Sequence, residues 1–276
     1  MKKMISFLIV VLMLGVLFAG CGIQTNTNAS SKVDKEASEE TVVSEEAALA
    51  EQTSGSPNTN VGGSVAENYS TYLDAKNTVL VKLTDGLSTN PDTGMAVLAF
   101  MGISMADLVM LPASMFGQDQ QAAEIGLGFM GAKGVTYSES GNSYTIAYSD
   151  EEGKAYVFSG TYDPAADALI CTATMDGAEN IYSEYRKTSF GYVGQYYFLN
   201  DDGTTSVYMI AVDGEDGTIG ISSIPGKPAA LTGSESADFP KACEEWYSVT
   251  GTTITGQTLD GTDLNFEYTP TESASN

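Results

Sequence analysis

Two hydrophobic patterns divide the chain. Between residues 64 and 131, apolar positions recur at spacings of three and four, which is typical of helices with one buried face. From residue 135 onward they alternate in twos, which is typical of strands. This order predicts one α+β domain over residues 64–268, in which two or three N-terminal helices pack on an antiparallel meander sheet. Residues 269–276 are predicted to form a flexible tail.

The first helical segment carries its own start and stop signals. Ser64 and Glu67 have the spacing of a capping box, in which each side chain accepts a hydrogen bond from the other residue's backbone. Asn90-Pro91 ends the pattern. The apolar stripe between these signals consists of Val65, Tyr69, Tyr72, Leu73, Val79, Leu80, Leu83 and Leu87. We therefore predict an amphipathic helix with one buried face.

The next segment is apolar on all sides. Residues 95–111 contain only Gly102, Ser104 and Asp107 as exceptions, Pro112 follows, and six of the eleven methionines lie between residues 95 and 130. A helix of this kind is buried on all sides or lies in a membrane, and a membrane span needs about 20 residues. The segment is therefore predicted to be a central core helix or a helix that lines an apolar ligand cavity, where flexible methionines adapt to varied shapes. A shorter, glycine-broken helix is predicted within residues 118–131.

Residues 135–224 predict seven or eight strands. The links between the alternating runs are rich in Asp and Gly and too short for parallel crossovers, so the strands form an antiparallel meander. Residues 192–199 and 207–212 are apolar or aromatic on both faces. We therefore expect a second layer on the other face, or a sheet that curls around the Met-rich helix. A helical turn at residues 239–249, with Trp246 and Tyr247 in the core, and a hairpin of residues 252–257 and 264–268 complete the domain.

The order of helices followed by a long meander is similar to the half-barrel of Lol-type lipoprotein carriers and their mycobacterial lipid-carrier relatives. The resemblance lies in element order and in the apolar interior over residues 64–268, without a shared residue motif. It implies a curved sheet and a helical lid that hold acyl chains. The candidate ligand-lining residues are Phe100, Met101, Met105, Met110, Tyr192, Tyr196 and Phe198.

The first residues predict export. Met1-Lys2-Lys3 precedes an apolar run at residues 4–19, and the run ends at Ala19-Gly20-Cys21. This resembles the lipobox of bacterial lipoproteins. The resemblance implies that residues 1–20 are a signal peptide, that Cys21 carries lipid, and that the protein is attached to the cell membrane on its extracytoplasmic side. Residues 21–63 are acidic and poor in large apolar residues, so we expect a disordered tether.

Charge and composition exclude several function classes. The chain has 12 basic and 36 acidic residues and no His, a net charge of −24. Such a charge disfavours nucleic acid as a partner, and the missing His removes the usual acid–base and nucleophile systems. Adjacent carboxylates such as Glu244-Glu245 are expected by chance among so many acids. The Asp/Gly loops at residues 200–203 and 213–217 lack calcium-loop spacing and are predicted to be hairpin turns. We therefore expect no metal, no cofactor and no enzymatic activity.

The remaining candidates stay open at this stage. Cys171 and Cys243 could form one disulfide in an exported protein, or remain two buried thiols. Arg186-Lys187 is expected to protect a strand edge from aggregation, or to meet a ligand headgroup. The predicted function is non-enzymatic binding of a hydrophobic or amphiphilic ligand between the Met-rich helix and the sheet. The alternative is a cell-envelope scaffold with a solid core and an unknown protein partner.

Overall fold

The computed structural model describes residues 63–90, 93, 96–200 and 202–270. The predicted signal peptide, Cys21 and almost all of the predicted tether lie outside these residues, as does most of the predicted tail. The helices come first, as expected from the sequence. They are α1 (Val65–Thr89), a 3-10 turn (Ala96–Phe100), α2 (Met101–Val109), a second 3-10 turn (Leu111–Met115) and α3 (Gln120–Gly128).

Eleven strands follow and form one sheet in which every strand pairs with its neighbours in sequence. The strands are β1 (Lys133–Ser140), β2 (Ser143–Ser149), β3 (Ala155–Asp163), β4 (Ala168–Met175), β5 (Ala178–Lys187), β6 (Tyr192–Leu199), β7 (Thr204–Asp213), β8 (Asp216–Pro225), β9 (Glu245–Thr250), β10 (Thr253–Gln257) and β11 (Asp263–Glu267). All the pairs are antiparallel, and β1 and β11 are the two open edges of the sheet. The antiparallel meander and the coarse α+β class are confirmed.

The capping box and stop of α1 form as predicted. The Glu67 backbone N–H donates to Ser64 Oγ at 3.3 Å, and the Ser64 N–H donates to Glu67 Oε2 at 2.7 Å. After the helix, Thr93 Oγ1 donates to the Leu87 carbonyl at 2.8 Å.

The prediction of one helix over residues 95–111 is wrong. The described part of this segment is divided at Phe100, where a 3-10 turn gives way to α2, and it ends at a second 3-10 turn that contains Pro112. Phe100 offers no side-chain hydrogen bond to cap α2. At Gly102 the backbone meets the sheet so closely that a Cβ would lie 1.9 Å from the Tyr208 hydroxyl oxygen. Contact with the sheet therefore shapes this segment more than its helical propensity does.

The prediction of a helical turn over residues 239–249 is also wrong. Only Phe239–Ala242 is a 3-10 turn, and the following residues form β9 between β8 and β10. Tyr247 and Val249 are buried on the helix side, whereas Trp246 is half-buried and its ring lies 5.1 Å from the Lys241 ammonium. The alternation in this short aromatic and β-branched run has a period of two, and pairing with two neighbouring strands decides the conformation.

Helix α1 lies on the sheet and separates its core into two clusters. Val65, Tyr69 and Tyr72 pack with residues of β1–β5, and the second half of the helix, around Val79 and Leu83, packs with residues of β6–β11. The segments from residue 96 to residue 130, hereafter the helical cover, contribute Met110 and others to the first cluster and Phe100 and others to the second. Lys76 lies on the same face of α1, between the two groups of apolar residues.

The opposite face of the sheet is covered at its centre by the connection between β8 and β9, residues 226–244. Leu231 of this connection packs with Val193 and Ala211, and Phe239 packs against them. This connection is the second layer that the two-sided apolar strands predicted.

Candidate functional site

A buried lysine joins α1, α2 and the sheet. The side chain of Lys76 is fully buried, and its Nζ donates to Asp107 Oδ1 on α2. The same Nζ lies 3.1 Å from the Tyr196 hydroxyl on β6, and that hydroxyl donates to Asp107 Oδ1 at 2.9 Å. The three side chains thus form a closed triangle of polar contacts, hereafter the Lys–Asp–Tyr cluster.

Aromatic rings surround the Lys76 amine. Its Nζ lies 5.2 Å from the centroid of the Tyr196 ring and 5.9 Å from that of Tyr72. Burial lowers the pKa of the Lys76 amine, whereas the charge and hydrogen bond of Asp107 act in the opposite direction. Burial also raises the pKa of Tyr196 well above its usual value, so its hydroxyl keeps its proton. Asp107 reaches the surface, with 23% of its side chain exposed.

A tyrosine stack lies beside the cluster. The rings of Tyr72 and Tyr185 are parallel within 7° at 4.6 Å, and Tyr69 stacks 6.0 Å from Tyr185. The Tyr72 hydroxyl occupies the space above Gly194, where a Cβ would lie 2.0 Å from the oxygen. The cluster is therefore enclosed by rings on the α1 side and by β6 below.

The predicted ligand-lining residues lie along the interface between the helices and the sheet, where they serve as packing. Phe100, Met110 and Tyr196 are buried, and Phe100 contacts the Tyr247 ring edge-on at 5.5 Å. The other four are half-buried: Met101, Met105, Tyr192 and Phe198. Tyr192 and Phe198 contact both core clusters. In this conformation the protein's own side chains fill the space around the buried members of the set.

The outer side of the helical cover exposes several large apolar side chains, next to polar ones such as Gln121 and Glu124. Phe129 is 90% exposed and Ile125, one helical turn earlier, is 57% exposed. Other exposed large apolar side chains of the cover are Leu98, Leu108, Leu111 and Met130. Between residues 96 and 118, Asp107 is the only charged residue of the sequence, and it is paired with Lys76. Exposed apolar surface, where it forms a large patch, marks interaction sites more often than ordinary protein surface.

A second buried charge lies on the other face of the sheet. The side chain of Glu184 on β5 is fully buried. Its Oε2 accepts from the Gln195 side chain at 3.0 Å, the Tyr182 hydroxyl at 3.0 Å and the Leu231 backbone N–H at 3.1 Å. Its Oε1 accepts from Arg186 Nε at 3.1 Å. Because Leu231 belongs to the 226–244 connection, this carboxylate fixes the second layer to the sheet.

The basic doublet therefore has another role than edge protection. Strand β5 pairs with β4 and β6 on its two sides, so Arg186 and Lys187 do not lie at a sheet edge. Arg186 neutralises Glu184, and Lys187 Nζ lies 3.9 Å from Asp167. The expectation of an edge strand is wrong because eleven strands pair in sequence order, which places β5 in the interior of the sheet.

An open cleft of about 500 Å³ lies at the other end of the sheet. Two of its lining residues are acidic, Glu245 and Asp260, and the Tyr247 hydroxyl donates to Glu245. The rest of the lining consists of Thr93, Ala96, Tyr247, Thr258, Leu259, Thr262 and Leu264. None of the predicted ligand-lining residues belongs to this cleft, and its mixed lining does not resemble an acyl-chain site.

The thiols and the acidic turns are explained by local structure. Cys171 and Cys243 are both buried and free, so the structure has the two-thiol arrangement and not the disulfide. Asp202 Oδ1 accepts from the Thr204 backbone at 2.9 Å, and Asp216 Oδ1 accepts from the Gly251 backbone at 2.9 Å. The first bond lies within one hairpin turn, and the second joins the start of β8 to the turn between β9 and β10. Among the described residues, no group of three or more acids or thiols is arranged to hold a metal ion.

Sequence reasoning missed the importance of three residues. In the sequence, Lys76 stands between the apolar positions of α1 without being one of them, and Asp107 is an exception in an apolar run. The signal for their pairing is a lysine on the apolar face of α1 and a single aspartate in the apolar run of residues 96–118. Glu184 had no such signal, because a glutamate in an alternating strand is usually on the solvent face.

Comparisons of the chain with protein-family models, with curated proteins and with solved structures gave no match. No helix within the described ranges has the length and apolar character to cross a membrane. The function must therefore be argued from the chain itself.

Proposed function

We propose that this is a lipid-anchored, extracytoplasmic, non-enzymatic protein whose helical cover binds a hydrophobic or amphiphilic ligand. One observation carries the proposal. The cover exposes Phe129, Ile125 and four other large apolar side chains, and its segment 96–118 has one charge in a chain of net charge −24. Acyl chains bind such a surface because removing apolar area from water is favourable by about 25 cal/mol per Å².

The ligand is placed on the outer side of the cover because the inner side is filled. Met110 and Tyr196 are fully buried, and Tyr196 makes hydrogen bonds to two side chains. A ligand between the cover and the sheet would have to displace these contacts. The methionines at the half-buried positions 101 and 105 could adapt to a ligand that enters from the outside. A curved, half-barrel sheet, as in the Lol-type carriers, belongs to the same proposal.

Anchoring follows from the resemblance of residues 1–21 to a lipoprotein leader. Acyl chains on Cys21 would hold the acidic domain at the membrane, since each buried CH₂ contributes about 0.8 kcal/mol. The negative surface of the domain repels anionic headgroups, so the apolar cover is the part of the domain suited to meet lipid.

The test uses a chain that begins at residue 22 and therefore lacks the leader and the acylation site. Its binding of a fluorescent fatty acid is measured, and then that of the double variant Ile125→Ser, Phe129→Ser. Because both side chains are exposed, the variant should fold, and we expect its affinity to fall about tenfold or more. The matched control is Val81→Ser, Leu259→Ser, which removes two exposed apolar side chains outside the cover (67% and 71% exposed) and should bind normally.

Equal fatty-acid affinity in both double variants would contradict the proposal. No binding by the unmodified chain would favour the alternative, a scaffold with a solid core. In that case the cover would be tested as a protein interface by crosslinking from position 129 in intact cells.

A further inference from the structure

We propose that the side chains of Lys76 and Asp107 condense to an intramolecular isopeptide bond that links α1 to α2. The proposal rests on the Lys–Asp–Tyr cluster and is independent of ligand binding by the cover. In the structure the two groups form an ion pair, with Lys76 Nζ in contact with Asp107 Oδ1 across 31 residues of sequence. The protein would make this covalent bond without the help of another enzyme.

The position of the two groups favours the reaction. The amine is fully buried among aromatic rings, and the fold holds it against one carboxyl group. Holding two reactants in contact replaces a bimolecular encounter by an intramolecular step. Burial of the amine favours its uncharged form, which is the nucleophile, and lowers the pKa of Lys76. Transfer of one proton within the ion pair gives the amine and carboxylic acid that react.

The step balances without any further reagent. The Nζ lone pair attacks the carboxyl carbon of Asp107, an N–C bond forms, and the C–O bond to one carboxyl oxygen breaks. That oxygen leaves as water, with the proton of the acid and one proton from the amine. Nothing is oxidised or reduced. The Asp107 side chain is 23% exposed, so the reacting carboxyl group lies next to solvent that can take up the water.

Tyr196 contacts both reacting groups. Its hydroxyl lies 3.1 Å from Lys76 Nζ and 2.9 Å from Asp107 Oδ1, so it can accept a proton from the amine while it donates one to the leaving oxygen. Burial keeps this hydroxyl protonated. We assign Tyr196 as the catalytic proton relay of the condensation.

Desolvation provides the driving force. A charged amine inside an aromatic cluster loses its hydration, and only the attraction of its charged partner offsets this loss of free energy. The neutral amide does not have this desolvation cost, and the water molecule that is released is hydrated in bulk solvent. The opposite case is Glu184, whose carboxylate is held by four hydrogen bonds and is paired with an arginine, Arg186. The fold therefore stabilises one buried ion and leaves the other poised to react.

Peptide mapping of the full protein, purified from its own membranes, tests the proposal. Trypsin does not cleave after a lysine whose amine is an amide. The linked protein should therefore give peptide 36–82 joined to peptide 83–133, lighter than the sum of the two by one water molecule. An unlinked protein gives a separate peptide 77–82 and an unmodified peptide 83–133. Recovery of most of the protein as the separate peptides would overturn the proposal.

The chain contains a matched internal control. Lys82 is on the same helix and its Nζ lies 3.1 Å from Asp216 Oδ1, but both side chains are partly exposed. We expect trypsin to cleave after Lys82 completely, because a hydrated ion pair does not condense. A joined product at Lys82 would show that preparation, not the buried site, creates the links, and would overturn the proposal.

Tyr196→Phe tests the relay. This variant keeps the ring and removes the hydroxyl, so we expect the linked fraction to rise at least about tenfold more slowly in protein sampled at increasing times after synthesis. An unchanged rate would overturn the role of Tyr196. Lys76→Arg and Asp107→Ala should give no joined peptide. Because the primary result comes from the unmodified protein, the test stands even if these variants do not fold.

Discussion

Strand β6 carries two buried charged centres on its opposite faces, and they are built differently. On the helix side, Tyr196 meets the Lys76 amine and Asp107. On the other side, Gln195, the preceding residue, donates to Glu184. Glu184 receives four hydrogen bonds, whereas the Lys76 amine has one carboxylate and one hydroxyl as hydrogen-bond partners.

The difference shows how partner number decides the role of a buried ion. A carboxylate that accepts four hydrogen bonds is held in place, and here it fixes the 226–244 connection through Leu231. A buried amine with few partners recovers less of the free energy that it lost on desolvation. Such incompletely stabilised groups are the ones that tend to react. One strand thus supports a structural centre on one face and a reactive one on the other.

Alkaline pH should give the largest effect, because it acts on both centres at once. Burial raises the pKa of Tyr196 on the helix side and of Tyr182 beside Glu184. It also raises the pKa of Tyr162 to about 12 from the usual 10.0. Between pH 10 and 12, the tyrosines of the unfolded chain have released protons that the folded protein retains. The free energy of unfolding therefore falls as the pH rises.

We expect phenolate absorbance and loss of circular dichroism to appear together, in one steep transition above pH 10. The control is the same titration in urea, where tyrosines should ionise at their usual pKa. Gradual ionisation of all tyrosines from pH 10 with the fold intact would contradict the burial of these hydroxyls.

Glu184→Ala breaks the better-satisfied centre. The Gln195 amide, the Leu231 N–H and the Tyr182 hydroxyl lose their acceptor, so we expect the free energy of unfolding in urea to fall by about 3–5 kcal/mol. Glu179→Ala is the matched control. It removes a carboxylate that pairs with Lys227 at the surface, and should cost about 0–1 kcal/mol. Equal losses in the two variants would show that burial of Glu184 is not what stabilises the second layer.

Gly194→Ala tests the packing between the two centres. Because the new Cβ would lie 2.0 Å from the Tyr72 hydroxyl oxygen, we expect a loss of about 1–3 kcal/mol in the free energy of unfolding. Tyr72→Phe removes that oxygen, so the double variant should recover part of the loss. Gly128→Ala, where no atom lies within 4 Å of the added carbon, should be neutral or slightly stabilising. Strictly additive losses in the double variant would refute the clash.

The parts of the fold that were predicted correctly depend on neighbours in sequence. The capping box at Ser64 and the short hairpin links need only a few adjacent residues, and both form as expected. The segment that forms β9 was predicted to be a helical turn. It is a strand because it pairs with β8 and β10, and the six residues of β9 do not show which strands will be its neighbours. The Met-rich run likewise is a long apolar run typical of a buried helix, but it is divided at Phe100, where a 3-10 turn precedes α2.

The candidate site was predictable only in part. Phe100, Met110 and Tyr196 lie at the interface of the helices with the sheet, where they are buried as core residues. Lys76 and Asp107 could be recognised as unusual residues in apolar surroundings, but not as partners, because any of 36 acids could in principle pair with a lysine. Glu184 and Leu231 are 47 residues apart, and only the folded connection brings them together.

The sequence by itself determined the α+β class, the antiparallel order of the strands and the apolar character of the helical cover, because these follow from periodicity and turn chemistry along the chain. The tertiary structure decided which buried charges meet, which face of the cover stays in contact with water and which strands lie inside the sheet. These properties depend on distances between residues far apart in the chain, and a pattern of apolar and polar positions contains no such distances.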